Sequence, residues 1–158
     1  IKGENMNREE SISFATKYLE DLLSFFGINV AVYSTAEEDV IQLSIPSTSL
    51  NSLLIGKNAD NLRSLQHIVN MSLIVKNAEL KRVNVDVADY KRQRADRIEH
   101  KAENWIAKVR ESGEPMTVEL NPADRRVVHK LAEFYSDITT YSEGEGRDRH
   151  LIITKKAD

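Results

Sequence analysis

Leu54-Ile-Gly-Lys-Asn-Ala-Asp-Asn-Leu62 joins two short apolar segments through one glycine, and its reading as a tight corner between helices decides the fold of the first half. Gly56 lets the chain turn where a side chain would hinder it. Before it, Leu50, Leu53 and Leu54 mark a short helix; after it, Leu62, Leu65, Ile68, Val69 and Leu73 recur at helical spacing over 60–75 and are expected to face inward. Upstream lie two strand-like runs, 28–34 and 40–45, joined by a polar turn at 35–39 and stopped by Pro46 and Ser47. Asn7 followed by Glu10 forms a capping box for an opening helix whose inward stripe is Ile12, Ala15, Leu19, Leu22, Leu23 and Phe26, with Gly27 at its end. Downstream, Val83, Val85 and Val87 alternate with polar residues over 82–88, the pattern of a half-buried strand. Residues 7–88 therefore read as α-β-β-α-α-β.

The second half, 89–158, follows another order. One long helix is predicted over 89–112, with Ile98, Ala102, Trp105, Ile106 and Val109 as its buried stripe and Ser112-Gly113 at its end. A helix of that length spans about 36 Å, enough to link two modules. A strand at 116–120 follows, and Asn121-Pro122 starts a helix running to about Tyr135, with Val128, Leu131, Ala132 and Tyr135 inward. Two further strands, 138–142 and 149–154, flank a glycine-containing loop at 143–148 and read as a hairpin. The expected fold class is α+β: two small modules, α-β-β-α-α-β and then α-β-α-β-β.

Composition narrows the function. A hydrophobic content of 41% with 30% charged residues is that of a folded chain. The absence of cysteine excludes disulfides and cysteine-ligated zinc, and fits a reducing, cytoplasmic setting. No apolar run approaches the length of a membrane span, and no signal-peptide pattern opens the chain. The start at Ile1 suggests processing or a piece of something longer. The net charge of −3 is unevenly spread: residues 1–55 hold three Lys/Arg against eight Asp/Glu, and the remainder is slightly basic. His67, His100, His129 and His150 are scattered without metal-ligand spacing, and Ser47, Ser49 and Ser52 lack a base partner. Glu37-Glu38-Asp39 is too contiguous for a positioned carboxylate pair, and no P-loop or dinucleotide fingerprint is present. No enzyme, metal or cofactor is expected.

Two segments suit a nucleic-acid backbone. At Gly56 the turn opens a helix N-terminus, whose orphan N–H groups and positive dipole end favour phosphate, and Lys57 adds a cation. Alone, this segment reads as a plain helix–turn–helix corner with glycine as its C-cap. Within the α-β-β-α-α-β order it resembles a KH domain, whose GxxG loop clamps a single-stranded backbone. The loop here is Gly56, Lys57, Asn58 and Ala59: alanine stands for the second glycine, and Asp60 brings a negative charge beside it. In the second segment, Arg125 and His129 sit one helical turn apart, offering a donor fork and a flat ring. Preceded by Asn121-Pro122 and followed by Thr139-Thr-Tyr-Ser-Glu-Gly-Glu-Gly146 and a basic strand, the pair resembles the R-x-x-x-H ("R-three-H") single-strand-binding domain.

In this order the modules resemble the Jag family (SpoIIIJ-associated, KhpB-like) of bacterial RNA-binding proteins, over about 7–156. The resemblance implies single-stranded RNA, or single-stranded DNA, as ligand, with contacts at Gly56, Lys57, Asn58, Ala59, Arg125, His129, Arg147 and Arg149. It further implies post-transcriptional regulation linked to envelope growth and division, and a small KH-domain protein or a second copy as partner. Family members commonly carry an additional N-terminal Jag-type domain, to which nothing here corresponds. Arg94, Arg97, Lys101 and Lys108 share one side of the long helix and form a candidate basic groove wall, or simply a solvated face. The competing expectation is a protein-interaction scaffold whose KH-like module serves dimerisation, which Ala59 and Asp60 favour.

Overall fold

The computed structural model describes residues 5–156, which fall into two compact units divided between Lys91 and Arg92. In the first, helix α1 (Arg8–Ser24) is opened by the expected capping box: Asn7 Oδ1 accepts from the Glu10 N–H at 3.0 Å, and Glu10 accepts from the Asn7 N–H at 2.8 Å. Strands β1 (Tyr33–Glu37) and β2 (Val40–Ile45) pair antiparallel, and β2 pairs parallel with β3 (Arg82–Val87), giving the order β1-β2-β3. Between β2 and β3 lie α2 (Asn51–Ile55), a short 3-10 turn (Lys57–Ala59) and α3 (Asp60–Val75). The core joins Ala15, Leu19 and Leu23 of α1 to Val69 and Leu73 of α3 and to Ile41, Leu43 and Val85 of the sheet. Ser11, fully buried among them, donates to the Asn7 carbonyl at 2.6 Å, which satisfies its hydroxyl.

Edges of sheets are open hydrogen-bonding templates, and β3 is an edge. Here α3 covers it: the Val83 N–H donates to Asn70 Oδ1 at 2.7 Å and the Val85 N–H to Gln66 Oε1 at 3.1 Å. The Val87 N–H donates to Asp86 Oδ1 at 2.9 Å.

Three sequence expectations are corrected in this unit. The first strand is not 28–34 but Tyr33–Glu37, and the turn shrinks to Glu38-Asp39, with Glu38 at φ 50°. Ile28 and Val32 are buried, so their hydrophobicity marks the core beneath a connecting segment rather than a ladder. Phe26 is exposed because α1 ends at Ser24 and the chain leaves helical period there. Ile68 is also exposed: α3 buries Leu62, Leu65, Val69 and Leu73, and Ile68 falls on the neighbouring row with Met71 and Val75.

The second unit holds most of α4 (Tyr90–Ser112), then β4 (Met116–Val118), α5 (Pro122–Ala132), β5 (Ile138–Glu143), a 3-10 turn (Gly146–Asp148) and β6 (His150–Lys155). Its sheet has the order β4-β6-β5, all antiparallel. Ile98, Ala102, Ile106 and Val109 of α4 and Val128 and Leu131 of α5 pack with Ile138, Leu151 and Ile153 of the sheet. Trp105 and Tyr135, expected inside, are half-buried at its margin.

Candidate nucleic-acid interface

The arrangement around α5 starts from its first turn. Asn121 caps it, its Oδ1 accepting from the Asp124 N–H at 2.9 Å, with Pro122 at the first helical position. Asp124 is buried, and a lone buried carboxylate would ionise only at a large penalty. Arg94 supplies the partner: Nε reaches Oδ1 at 2.9 Å and Nη2 reaches Oδ2 at 2.7 Å, a bidentate pair. Arg94, expected on a basic groove wall, thus holds α5 to α4. Arg97, Lys101 and Lys108 are exposed along α4.

Arg125 follows Asp124 and reaches the other way. Its Nη1 donates to the Leu120 carbonyl at 2.7 Å and to the Arg149 carbonyl at 3.1 Å, tying the start of α5 to the start of β6. Both acceptors are neutral, so these bonds orient the guanidinium without cancelling its charge. One turn on, the His129 ring is fixed at both nitrogens: Nδ1 lies 2.7 Å from Thr140 Oγ1 and Nε2 lies 3.4 Å from Ser142 Oγ. Thr140 and Ser142 alternate onto one face of β5, which is why both meet the same ring. Burial, then the nearby charges of Arg125 and Arg149, hold the His129 ring below the ordinary histidine range, with Glu133 opposing them. What His129 can present to a ligand is therefore a flat, neutral ring within the field of two cations.

Three of the expected residues, Arg125, His129 and Arg149, are brought together in this way. Arg147 is exposed on the Gly146–Asp148 turn, and the bonds just described do not include it. Asp124, Thr140 and Ser142 were not singled out from sequence. Asp124 carried a usable signal, as the third residue after a strong N-cap; the two hydroxyls depend on strand register and carried none.

The Gly56 loop is built differently. Gly56 has φ 71°, and a Cβ there would lie 2.7 Å from the Asn61 side chain, which itself donates to the Leu53 carbonyl at 2.7 Å. Asn58 and Ala59 follow with φ of 54° and 61°, a left-handed conformation costing a residue with a Cβ about 1–2 kcal/mol. The Ala59 N–H donates to the Gly56 carbonyl at 3.3 Å, so that donor closes the turn. Arg63, not anticipated from sequence, reaches back one turn: Nη1 donates to the Asn58 carbonyl at 2.8 Å, and Nη2 pairs with Asp60. Asp60 thus has a cation beside it on the same exposed turn. Lys57 and Asn58 are exposed.

Among the described residues, no group of three or more His, Asp or Glu side chains could hold a metal ion, and no helix is long and apolar enough to cross a membrane.

Residues 96–155 match the R-three-H domain family. The chain is 29% identical over 149 residues to the RNA-binding protein KhpB of Clostridium symbiosum, covering 91% of this chain and 66% of that one. It is 31% identical over 108 residues to KhpB of Bacillus subtilis (strain 168), covering 66% of this chain and 52% of that one. Against KhpB of Streptococcus pneumoniae serotype 2 (strain D39 / NCTC 7466) the identity is 21% over 150 residues, 94% of this chain and 45% of that one. The chain thus spans about half to two thirds of the length of these relatives. The chain is thus similar to the R-three-H family in its second half and to KhpB proteins along most of its length.

Proposed function

We propose that this protein binds single-stranded RNA without catalysis, and that its C-terminal module carries most of the affinity. The observation that carries this reading is the convergence of Arg125, His129 and Arg149, a fixed ring lying within the field of two cations. A phosphate suits the cations and a base suits the face of the ring. Kinship with proteins named as RNA-binding supports RNA as the polymer. On this reading residues 7–88 form a KH-like domain and 89–158 an R-three-H-type domain. In the KH-like part, Gly56, Lys57, Asn58 and Ala59 offer a secondary backbone contact, backed by Arg63. Exposed Arg147, and Arg97, Lys101 and Lys108 on α4, extend the positive surface a backbone can follow. Post-transcriptional regulation in the cytoplasm, tied to envelope growth, is the role this implies.

Titrating labelled single-stranded RNA at two salt concentrations tests the reading. Binding should weaken steeply with salt and be sharply reduced by Arg149→Ala. An Arg149→Ala protein with wild-type affinity and salt slope would remove the site.

One observation favours a second reading. Ile68, Met71, Ile74 and Val75 are exposed on α3, and the stacked rings of Phe14 and Tyr18 on α1 line the same shallow groove as Ile68, Met71 and Val75. Such a surface serves protein association, either with a second copy or with a small KH-domain protein. Sedimentation of the wild type and of Met71→Glu distinguishes a dimer from a monomer.

A further inference from the structure

A cavity of about 240 Å³ opens beside His129, on the α5–β5 side of the unit. Ala132 and Ile138, both buried, give it an apolar floor; His129, Glu133, Thr140 and Lys156 stand around it. Its volume lies below the roughly 300 Å³ at which small-molecule pockets begin, so it suits one ring of a longer ligand rather than a free metabolite. His129 lines the cavity and also meets the fields of Arg125 and Arg149, so the cavity and those cations share one neighbour.

The lining says which part of a bound strand enters. A phosphate is disfavoured by the Glu133 carboxylate, which offers it a hydrogen-bond acceptor and no donor. A flat, uncharged base resting on Ala132 and Ile138 meets no such penalty. Its edge must offer a donor to Glu133, and Lys156 can donate to an acceptor. Cytosine has an amino group at N4 and a carbonyl at O2; uracil has a carbonyl where cytosine has the amino group. Resting on the single-strand-binding reading above, we infer that this cavity is a base-selective subsite for an unstacked nucleobase carrying an exocyclic amine, with cytosine preferred over uracil. Glu133 is the selecting residue and Lys156 its complement.

The test uses the full chain and short oligocytidylate and oligouridylate of equal length, at neutral pH, with affinity read by fluorescence anisotropy. The wild type should bind oligocytidylate about tenfold more tightly, within the range for one well-placed base contact. Glu133 is exposed at the C-cap of α5, so Glu133→Gln leaves the helix intact. Its amide can turn to donate to a carbonyl, and the preference should fall to near unity even as overall affinity rises with the lost negative charge. Arg149→Ala should weaken both oligonucleotides and leave their ratio unchanged. Equal affinity for both in the wild type, or a ratio that Glu133→Gln does not move, overturns the subsite while leaving the binding reading intact. If the wild type binds neither, the binding reading fails, and the subsite with it.

Discussion

The Gly56 loop and the α5–β5 surface both present positive charge near a helix start, yet they reach it by opposite means. At Gly56 the backbone carries the geometry: positive φ values at Gly56, Asn58 and Ala59, interrupted only at Lys57, with Arg63 bracing the turn from behind. At α5 the backbone is ordinary and the side chains carry the geometry. Asp124 is gripped from α4, Arg125 holds two carbonyls, and His129 is fixed by two hydroxyls of β5. A strained loop has few contacts that fix what it presents, whereas a cluster held from several elements presents its charges already oriented. A ligand of the second would therefore bind at less ordering penalty.

The largest effect that could break this comparison is on stability. Asp124→Ala removes the buried carboxylate that anchors the first turn of α5 to Arg94, and losing one partner of a buried pair costs about 3 kcal/mol. Trp105 is the chain's one tryptophan and packs against the second core, so its fluorescence reports that unit. Urea unfolding followed at Trp105 should shift to lower denaturant; an unmoved midpoint would mean that the pair does not secure α5.

Next in size is binding. Arg149→Ala should cost about 1.5–3 kcal/mol of RNA affinity and reduce the salt slope by about one counterion, because a charge-assisted phosphate contact is lost. Arg125 is a poorer probe, since its guanidinium also supports the Leu120 and Arg149 carbonyls. In the same assay Lys57→Ala should lose well under 1 kcal/mol. A Lys57 effect equal to that of Arg149 would reverse the ranking of the two surfaces.

Ala59→Gly removes a Cβ from a left-handed position at φ 61° and should stabilise the first unit by up to about 1 kcal/mol, the lost strain exceeding the extra freedom of glycine when unfolded. Hydrogen exchange of α3 amides reads this directly. If the same change also tightens RNA binding, the loop touches the backbone.

The smallest effect is that of pH. His129 is held below its ordinary range in the folded protein, so the unfolded chain takes up its proton first as pH falls. Stability contributed by the neutral ring is complete above about 6.5 and declines as pH drops through the lower folded value. The Trp105 midpoint should fall accordingly, and His129→Gln should flatten that part of the profile.

Local signals made much of this legible in the sequence. The Asn7 and Asn121 caps and the alternating valines of β3 lie where short-range rules put them. Arg125 and His129 could be paired because one helical turn separates them. Contacts across the fold were not legible. Arg94 and Asp124 lie far apart along the chain, and a run of basic residues on α4 gave no sign that one of them faces a buried acid. Thr140 and Ser142 look like ordinary strand residues until the register of β5 sets them against His129. The shifted first strand has a related cause: Ile28 and Val32 are apolar because of the core beneath them, and the real turn carries its positive φ on Glu38, without the glycine or asparagine that would have announced it.

The capped margin of β3 bears on how this protein behaves in a crowded solution. Val83, Val85 and Val87 form a short, β-branched stretch of the kind that recruits identical strands into fibrils. Their outward amides are already engaged by Asn70, Gln66 and Asp86, and two of those three side chains belong to α3, which is synthesised before β3. As β3 docks, it meets its caps in the same step, so the exposed valine ladder exists only in chains that have not finished folding. Pairing through this valine stretch is thereby confined to the interval before α3 and β3 join.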